Sequence, residues 1–475
     1  MFRRMTRSFA VPLPLVLVLG GFCLVSCSRS PSPSRAPSLA PGSPARLKWN
    51  LDTLVGDYDR AGKKNPQWDE AARRALTLFA EVRNTSSQVS PTKITELGAA
   101  VQSAVNAGCD DPLIRYLQLR FNPATFEVTP AEMAAQYAAV AQELRARQYS
   151  AIRCLYGALR AAQALDDSHR SGEDTNAWFQ ANKLLADAAN DVQALLGDPT
   201  TPAEEIIEAM GELMPPAMRR KNFNEQCLAT IYSPVFARWP DDPLVCRQEG
   251  WFYLEYAWRA RGGGFANTVA PEAWKLFNER LRTADKALRR AWRLNPKDAQ
   301  TPVLMIRVAL GLQEARPEME KWFERAMAVN TNNYDACFQK LWYLDPRWYG
   351  SAEDLVAFGK ECGASRQWGG RVPLILADAH AAVVNYECKT DAERKAYWTR
   401  PEVWADIEAS FARFFALNPN AEGYHQNYAL FAYWCQQWDE LNRQLDLLGT
   451  VNYDYFGGRE AYDKMVEEAK AHATK

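Results

Sequence analysis

The chain has 475 residues, enough for two or three domains or one long solenoid. Its 56 basic and 57 acidic side chains leave a formal net charge of −1, so composition gives no electrostatic case for nucleic acid or an anionic membrane surface as a partner. Apolar residues make up 47% and include 16 tryptophans, which is material for a substantial core.

At the N-terminus, Arg3, Arg4 and Arg7 precede an uncharged, mostly apolar run from Phe9 to Val25, closed by Leu24-Val25-Ser26-Cys27. Positive charge, a short apolar run and small residues form the pattern of a secretory signal. Pro12 and Pro14 interrupt the run, which is shorter than the ~20 residues a membrane span needs. The segment resembles the lipobox of bacterial lipoproteins. That resemblance implies acylation of Cys27, which becomes the first mature residue. Ser28, in place of the Asp that retains such proteins at the inner membrane, implies a cell-envelope location at the outer membrane, facing the periplasm. An ordinary cleaved signal or a short membrane anchor is the alternative. Ser28 to Arg46 then carries six serines and five prolines, too little apolar surface for a core. As extended polyproline II this tether reaches roughly 60 Å at ~3.1 Å per residue.

From Leu47 to Pro216 the chain reads as helical and Ala-rich. Trp68 to Phe79 opens a helix after Pro66, and Thr129-Pro130-Ala131-Glu132 is a cap, an N1 proline and an early acid in succession. The helix that follows is expected to break near Gln148-Tyr149-Ser150. Thr201-Pro202-Ala203-Glu204-Glu205 repeats the start signal. Asp166 to Thr175 reads as a polar connector. No window alternates with period two for long enough to propose a strand, so the expected class is all-α. The domain boundaries expected are 1–27 signal and lipobox, 28–46 tether, 47–216 N-terminal helical region, and 217–475 helical-repeat region.

In the second region Leu281, Ala284, Leu288, Ala291 and Trp292 lie on one helical face, and Leu294-Asn295-Pro296 stops that helix. The ending recurs at Trp322 to Thr331 and again from Phe411 to Pro419. A recurrence near 34 residues is the mark of helical-hairpin arrays. The stretch of roughly 271–436 resembles the tetratricopeptide (TPR) family, with Ala284, Leu288, Ala291 and Pro296 on the second-helix pattern. The first-helix positions are not matched cleanly, and the third copy follows the second at a much longer interval. The resemblance therefore implies a TPR-like solenoid with irregular repeats. Tyr253 to Val269 and Lys340 to Ser351 resemble segments of bacterial TPR-like proteins with no assigned activity, which implies an architecture and no mechanism.

Four histidines (His169, His380, His425, His472) supply no HExxH or paired ligand set, so no metal and no cofactor is expected. His380 lies on an apolar helix and reads as a satisfied core imidazole. Gly262-Gly263-Gly264 lacks the context of a phosphate cradle and reads as a helix end. Ser351 reads as an N-cap. Asp110-Asp111, Asp166-Asp167 and Asp241-Asp242 read as turn or cap residues. Eight cysteines remain after Cys23 and Cys27, with no CxxC pair, so disulfides and buried thiols stay equally open. Arg261, Trp348 and Tyr349 lie in turns and are the aromatic and cationic residues expected to line a ligand groove. The function expected is a lipid-anchored scaffold binding a peptide or protein partner. An (α/α)-type carbohydrate-active enzyme or sugar binder is the alternative, which requires two carboxyls across one cleft.

Overall fold

A computed structural model describes residues 42–84, 90–121, 129–171, 176–217, 225, 228–449 and 451–472. Among these are 21 α-helices and no β-strand, so the protein is all-α. Cys27 and the signal segment lie outside the described residues, as does Cys227. No helix among the described residues is long and apolar enough to cross a membrane. The chain forms two compact units, one up to Phe277 and one from Asn278.

The first unit holds α1 (Pro44–Ala61), α2 (Asp69–Arg83), α3 (Pro91–Asn106), α4 (Pro112–Phe121), α5 (Pro130–Ala146), α6 (Ala151–Ser171), α7 (Ala177–Gly197), α8 (Ala203–Ala217), α9 (Ser233–Arg238) and α10 (Pro243–Arg261). Several begin with proline, whose fixed φ suits the first helical position and whose missing N–H is not needed there. Ser43, Ser90, Thr129 and Asp242 cap four of these starts with a side-chain oxygen, and Thr129 and Glu132 form a full capping box. Two expectations are corrected. Pro44, Ala45 and Arg46 belong to the first turn of α1, because Ser43 caps it, and are not tether. Asp166 to Ser171 continue α6, so the polar run there is the end of a helix.

Each helix from α1 to α7 packs on the next, and α8 returns against α6. The core runs through Leu54, Leu76, Leu117, Leu155, Leu159 and Val192. It continues into Tyr232, Phe236 and Phe252, with the Tyr232 and Phe252 rings 4.6 Å apart. That aromatic cluster ties α9 and α10 into the first unit. The division therefore falls at Phe277, whereas the prolines at 215–216 suggest one near 216. α11 (Pro271–Leu294) runs across it.

The second unit holds α12 (Gln300–Gly311), α13 (Arg316–Val329), α14 (Tyr334–Tyr343), α15 (Ala352–Ala364), α16 (Ile375–Glu387), α17 (Asp391–Trp398), α18 (Pro401–Leu417), α19 (His425–Trp434), α20 (Trp438–Asp446) and α21 (Arg459–His472). Here too much of the packing is between neighbours in sequence, with α14 also touching α12 and α16 and α18 also touching α15 and α16. The matching helix ends adopt matching geometry. The Asn295 N–H donates to Ala291 O at 2.9 Å and the Asn330 N–H to Ala326 O at 3.0 Å. Each side-chain oxygen then accepts a backbone N–H two residues on, and Asp298 and Asn333 cap the helices that follow.

The hairpin turns share a second device. α3, α5, α12 and α19 each end on a residue with positive φ: Gly108 (91°), Gln148 (59°), Gln313 (60°) and Gln436 (55°). After each, the next N–H reaches back to the carbonyl five residues earlier. The pairs are Cys109 to Ala104 and Tyr149 to Leu144, then Glu314 to Ala309 and Gln437 to Ala432. This is the Schellman closure, which satisfies orphan carbonyls and turns the chain sharply into the next helix.

Candidate functional site

The three turn residues expected to line a groove are placed in different units. Arg261 belongs to the first. Its guanidinium lies 5.8 Å from the Trp258 ring centroid and 5.4 Å from Trp274, and donates to the carbonyls of Gly262 (3.0 Å) and Gly264 (3.1 Å). It closes its own glycine turn, in which Gly262 has φ +74° and Phe265 is 78% exposed. Trp348 and Tyr349 belong to the second unit. The Trp348 ring meets Trp342 edge-on at 6.2 Å. Tyr349 packs 4.9 Å from Tyr343 and donates its hydroxyl to Leu310 O at 3.3 Å. Gly350 follows because a Cβ there would stand 2.1 Å from Leu344 O. Ser351 accepts the Asp354 N–H at 3.1 Å, the N-cap expected.

A different group in the second unit gathers polar and aromatic chemistry on one surface. The turn Gly369-Gly370 lies against Asn332 so closely that a Cβ on Gly369 would come within 2.7 Å of the Asn332 side-chain oxygen. Gly370 has φ +57°, and its carbonyl accepts from Asn418 Nδ2 at 2.9 Å. This anchored turn delivers Arg371 over the first residue of α14, with its guanidinium 4.3 Å from the Tyr334 ring centroid. Tyr334 in turn donates to Asp378 Oδ2 at 2.7 Å, from the first turn of α16. Among the described residues Arg371 makes only longer polar contacts, 3.4 Å to the Tyr424 hydroxyl and 3.8 Å to Asp335. Its side chain is 48% exposed.

The electrostatics follow from that packing. Burial raises the Asp378 carboxyl to about 6, against the opposing pull of the Tyr334 hydroxyl and the Arg371 charge. Burial also pushes the Tyr334 phenol well above its usual range, with Asp378 adding to it. The group thus combines a half-exposed cation with free donor capacity, a flat ring beneath it, and a carboxyl that titrates near neutrality. Two residues further along α16, His380 is buried between the Tyr397 hydroxyl (2.9 Å) and Asp406 Oδ2 (3.1 Å), a satisfied imidazole joining three helices. Burial lowers its pKa, against Asp406.

Sequence reasoning missed Arg371, Tyr334 and Asp378. The one local signal was the Gly369-Gly370 pair. Two of the acidic pairs behave as capping and turn residues, whereas Asp166-Asp167 lies within α6 and not in the turn expected. Asp111 accepts from the N–H groups of Lys63 and Leu113 and from the Tyr149 hydroxyl, and Asp242 caps α10. The seven described cysteines are buried thiols. Among the described residues no group of three His, Cys, Asp or Glu side chains is placed to hold a metal ion. A concavity of about 440 Å³, open to solvent, lies in the first unit between Arg120, Thr129, Tyr137, Arg160 and Asp167. No family model matches the chain, and no curated protein is significantly similar to it.

Proposed function

We propose that the chain is an exported, lipid-anchored helical scaffold of the cell envelope, tethered through Cys27, which binds a peptide or protein partner at the Arg371 surface. The observation that carries this is Arg371 itself. It is fixed on the Tyr334 ring, half exposed, and holds no short bond among the described residues, which leaves donors for a partner carboxylate. Neighbour-on-neighbour helix packing around it is the kind of framework that presents extended binding surfaces. The test is a pull-down from detergent-solubilised envelope with the intact chain. A stoichiometric protein partner, retained by wild type and lost in Arg371→Ala and Tyr334→Phe, supports the reading. Equal recovery by the variants refutes it.

A second reading, a carbohydrate-active or sugar-binding protein, is favoured by one observation. Asp378, raised to about 6, and Asp335 both flank Arg371. Retention of the chain on peptidoglycan or polysaccharide with no protein partner, abolished by Asp378→Asn, selects this reading.

A further inference from the structure

Cys337 lies on α14 and Cys362 near the end of α15, and neither has any solvent exposure. Burial pushes the Cys362 thiol well above its usual range, and the neighbouring Cys337 adds to the rise. The register of the helices accounts for the meeting independently. One turn further along α14, the Lys340 ammonium sits 4.4 Å from the Phe358 ring centroid, and Phe358 stands one turn before Cys362. A step forward on one helix is a step back on the other, the register of an antiparallel hairpin. α13 closes the third side in the same register. Met327 Sδ is 3.8 Å from Cys337 Sγ, and Phe323, one turn earlier, is 4.3 Å from the same Lys340 ammonium. The thiols therefore face each other inside a seam of three helices.

We propose that Cys337 and Cys362 form a disulfide when the chain folds under oxidising conditions, linking α14 to α15. The oxidant is a low-molecular-weight disulfide of the glutathione type or a protein dithiol oxidase. One cysteine thiolate attacks a sulfur of the oxidant; a protein–oxidant S–S bond forms, and the oxidant's other sulfur leaves as a thiolate. The second cysteine thiolate attacks the protein sulfur of that mixed disulfide. The Cys337–Cys362 bond forms, and the remaining oxidant thiolate leaves. The two cysteines give up two protons and two electrons, and the oxidant disulfide becomes two thiols. The exchange precedes closure of the seam, because afterwards both sulfurs are inaccessible. The same burial then shields the bond from reductants. This inference stands apart from the envelope and partner proposal, since it concerns only the folded seam.

The full chain is denatured and reduced, refolded in a mixture of oxidised and reduced glutathione, quenched with iodoacetamide in concentrated guanidinium chloride so that buried thiols react, and mapped by proteolysis. The expected product is a peptide pair joined through Cys337 and Cys362 that separates on reduction. In Cys337→Ala, Cys362 is recovered alkylated; in Cys362→Ala, Cys337 is. Alkylation of both sulfurs in refolded wild-type chain overturns the proposal, as does a link from either one to another cysteine. Where refolding from full denaturation fails, native chain cycled through moderate urea with oxidised glutathione gives the same readout.

Discussion

Glu205→Gln tests what holds the N-terminal helix of the first unit. The Glu205 carboxylate is fully buried on α8. Arg46, from the first turn of α1, bonds one of its oxygens, and Arg83 Nη2 lies 2.9 Å from the other. The Tyr156 hydroxyl adds a bond at 3.2 Å, and the buried Arg153 guanidinium lies 5.4 Å from the Tyr156 ring centroid. Burial pushes the Glu205 carboxyl up, but Arg83, Arg46 and Arg153 outweigh it and hold it below the usual carboxylate range. Glutamine keeps the shape and removes the charge, leaving buried guanidiniums short of a counter-ion. Removing one partner of a buried pair costs ~3–5 kcal/mol. Glu208 also reaches Arg46 (3.0 Å) and Arg83 (2.6 Å) from a half-exposed position, so about 3 kcal/mol, the lower end of that range, is expected. The pH dependence has a definite sign. A depressed carboxyl contributes stability above its unfolded pKa and loses it as pH falls through the folded one, so variant and wild type converge in acid. Two compact units make a single global transition undefined. The measurement is therefore hydrogen exchange across α1 and α8, beside calorimetry. A loss under ~1 kcal/mol, the value of an exposed pair, would refute the reasoning. So would a loss that does not shrink with acid.

Three other outcomes follow from the geometry. Gln313→Gly and Gln436→Gly, at φ +60° and +55°, each stabilise the second unit by roughly 0.5–1 kcal/mol, read as a raised denaturation midpoint, while valine at either site lowers it. Gly350→Ala, whose Cβ would stand 2.1 Å from Leu344 O, costs about 3 kcal/mol or more and lowers the melting temperature of the second unit. Asp378 has a raised folded pKa, so its ionisation weakens the second unit as pH rises from about 4 to about 6. Asp378→Asn abolishes that decline, on the order of 2 kcal/mol, in thermal melts across the range.

The parts of the fold written in local chemistry were legible in the sequence. Thr129-Pro130, Ser351 and the Asn295 and Asn330 endings each depend on residues within a few positions, and each took its expected place. The Schellman turns were legible only in part: the break near Gln148 was expected, but glutamine carries no preference for positive φ, and the next helix must dock before that conformation is selected. Asp166 to Ser171 misled for a related reason. A polar run inside a helix has the same composition as a connector. The candidate site was least legible of all. Tyr334, Arg371 and Asp378 come from three segments that only tertiary packing brings together, and each alone is an ordinary surface or cap residue. Arg261, in contrast, had the right residue type and the right turn, but its Nη1 donates to the carbonyls of its own glycine turn at Gly262 and Gly264.

The choice between a peptide carboxylate and a sugar at the Arg371 surface turns on the same titration. Arg347 and Arg316 in this unit hold acids at 2.6 and 2.9 Å and are committed to them. Arg371 has no such bond, and its stacking on Tyr334 already restricts its rotamers, so less ordering entropy is lost when a ligand arrives. Below about pH 6 the Asp378 carboxyl is neutral and Arg371 presents its charge with less competition. Above it the new carboxylate repels a second anion and attracts the guanidinium. Binding of a peptide through its carboxylate to Arg371 therefore weakens as pH rises through about 6, and Asp378→Asn removes the dependence. A sugar hydroxyl donating to ionised Asp378 shows the opposite slope. Titrating a fluorescent acidic peptide and an oligosaccharide against the full chain at pH 5 and pH 7.5 separates the two. An acidic peptide that binds with the same affinity at both pH values removes Asp378 from the account.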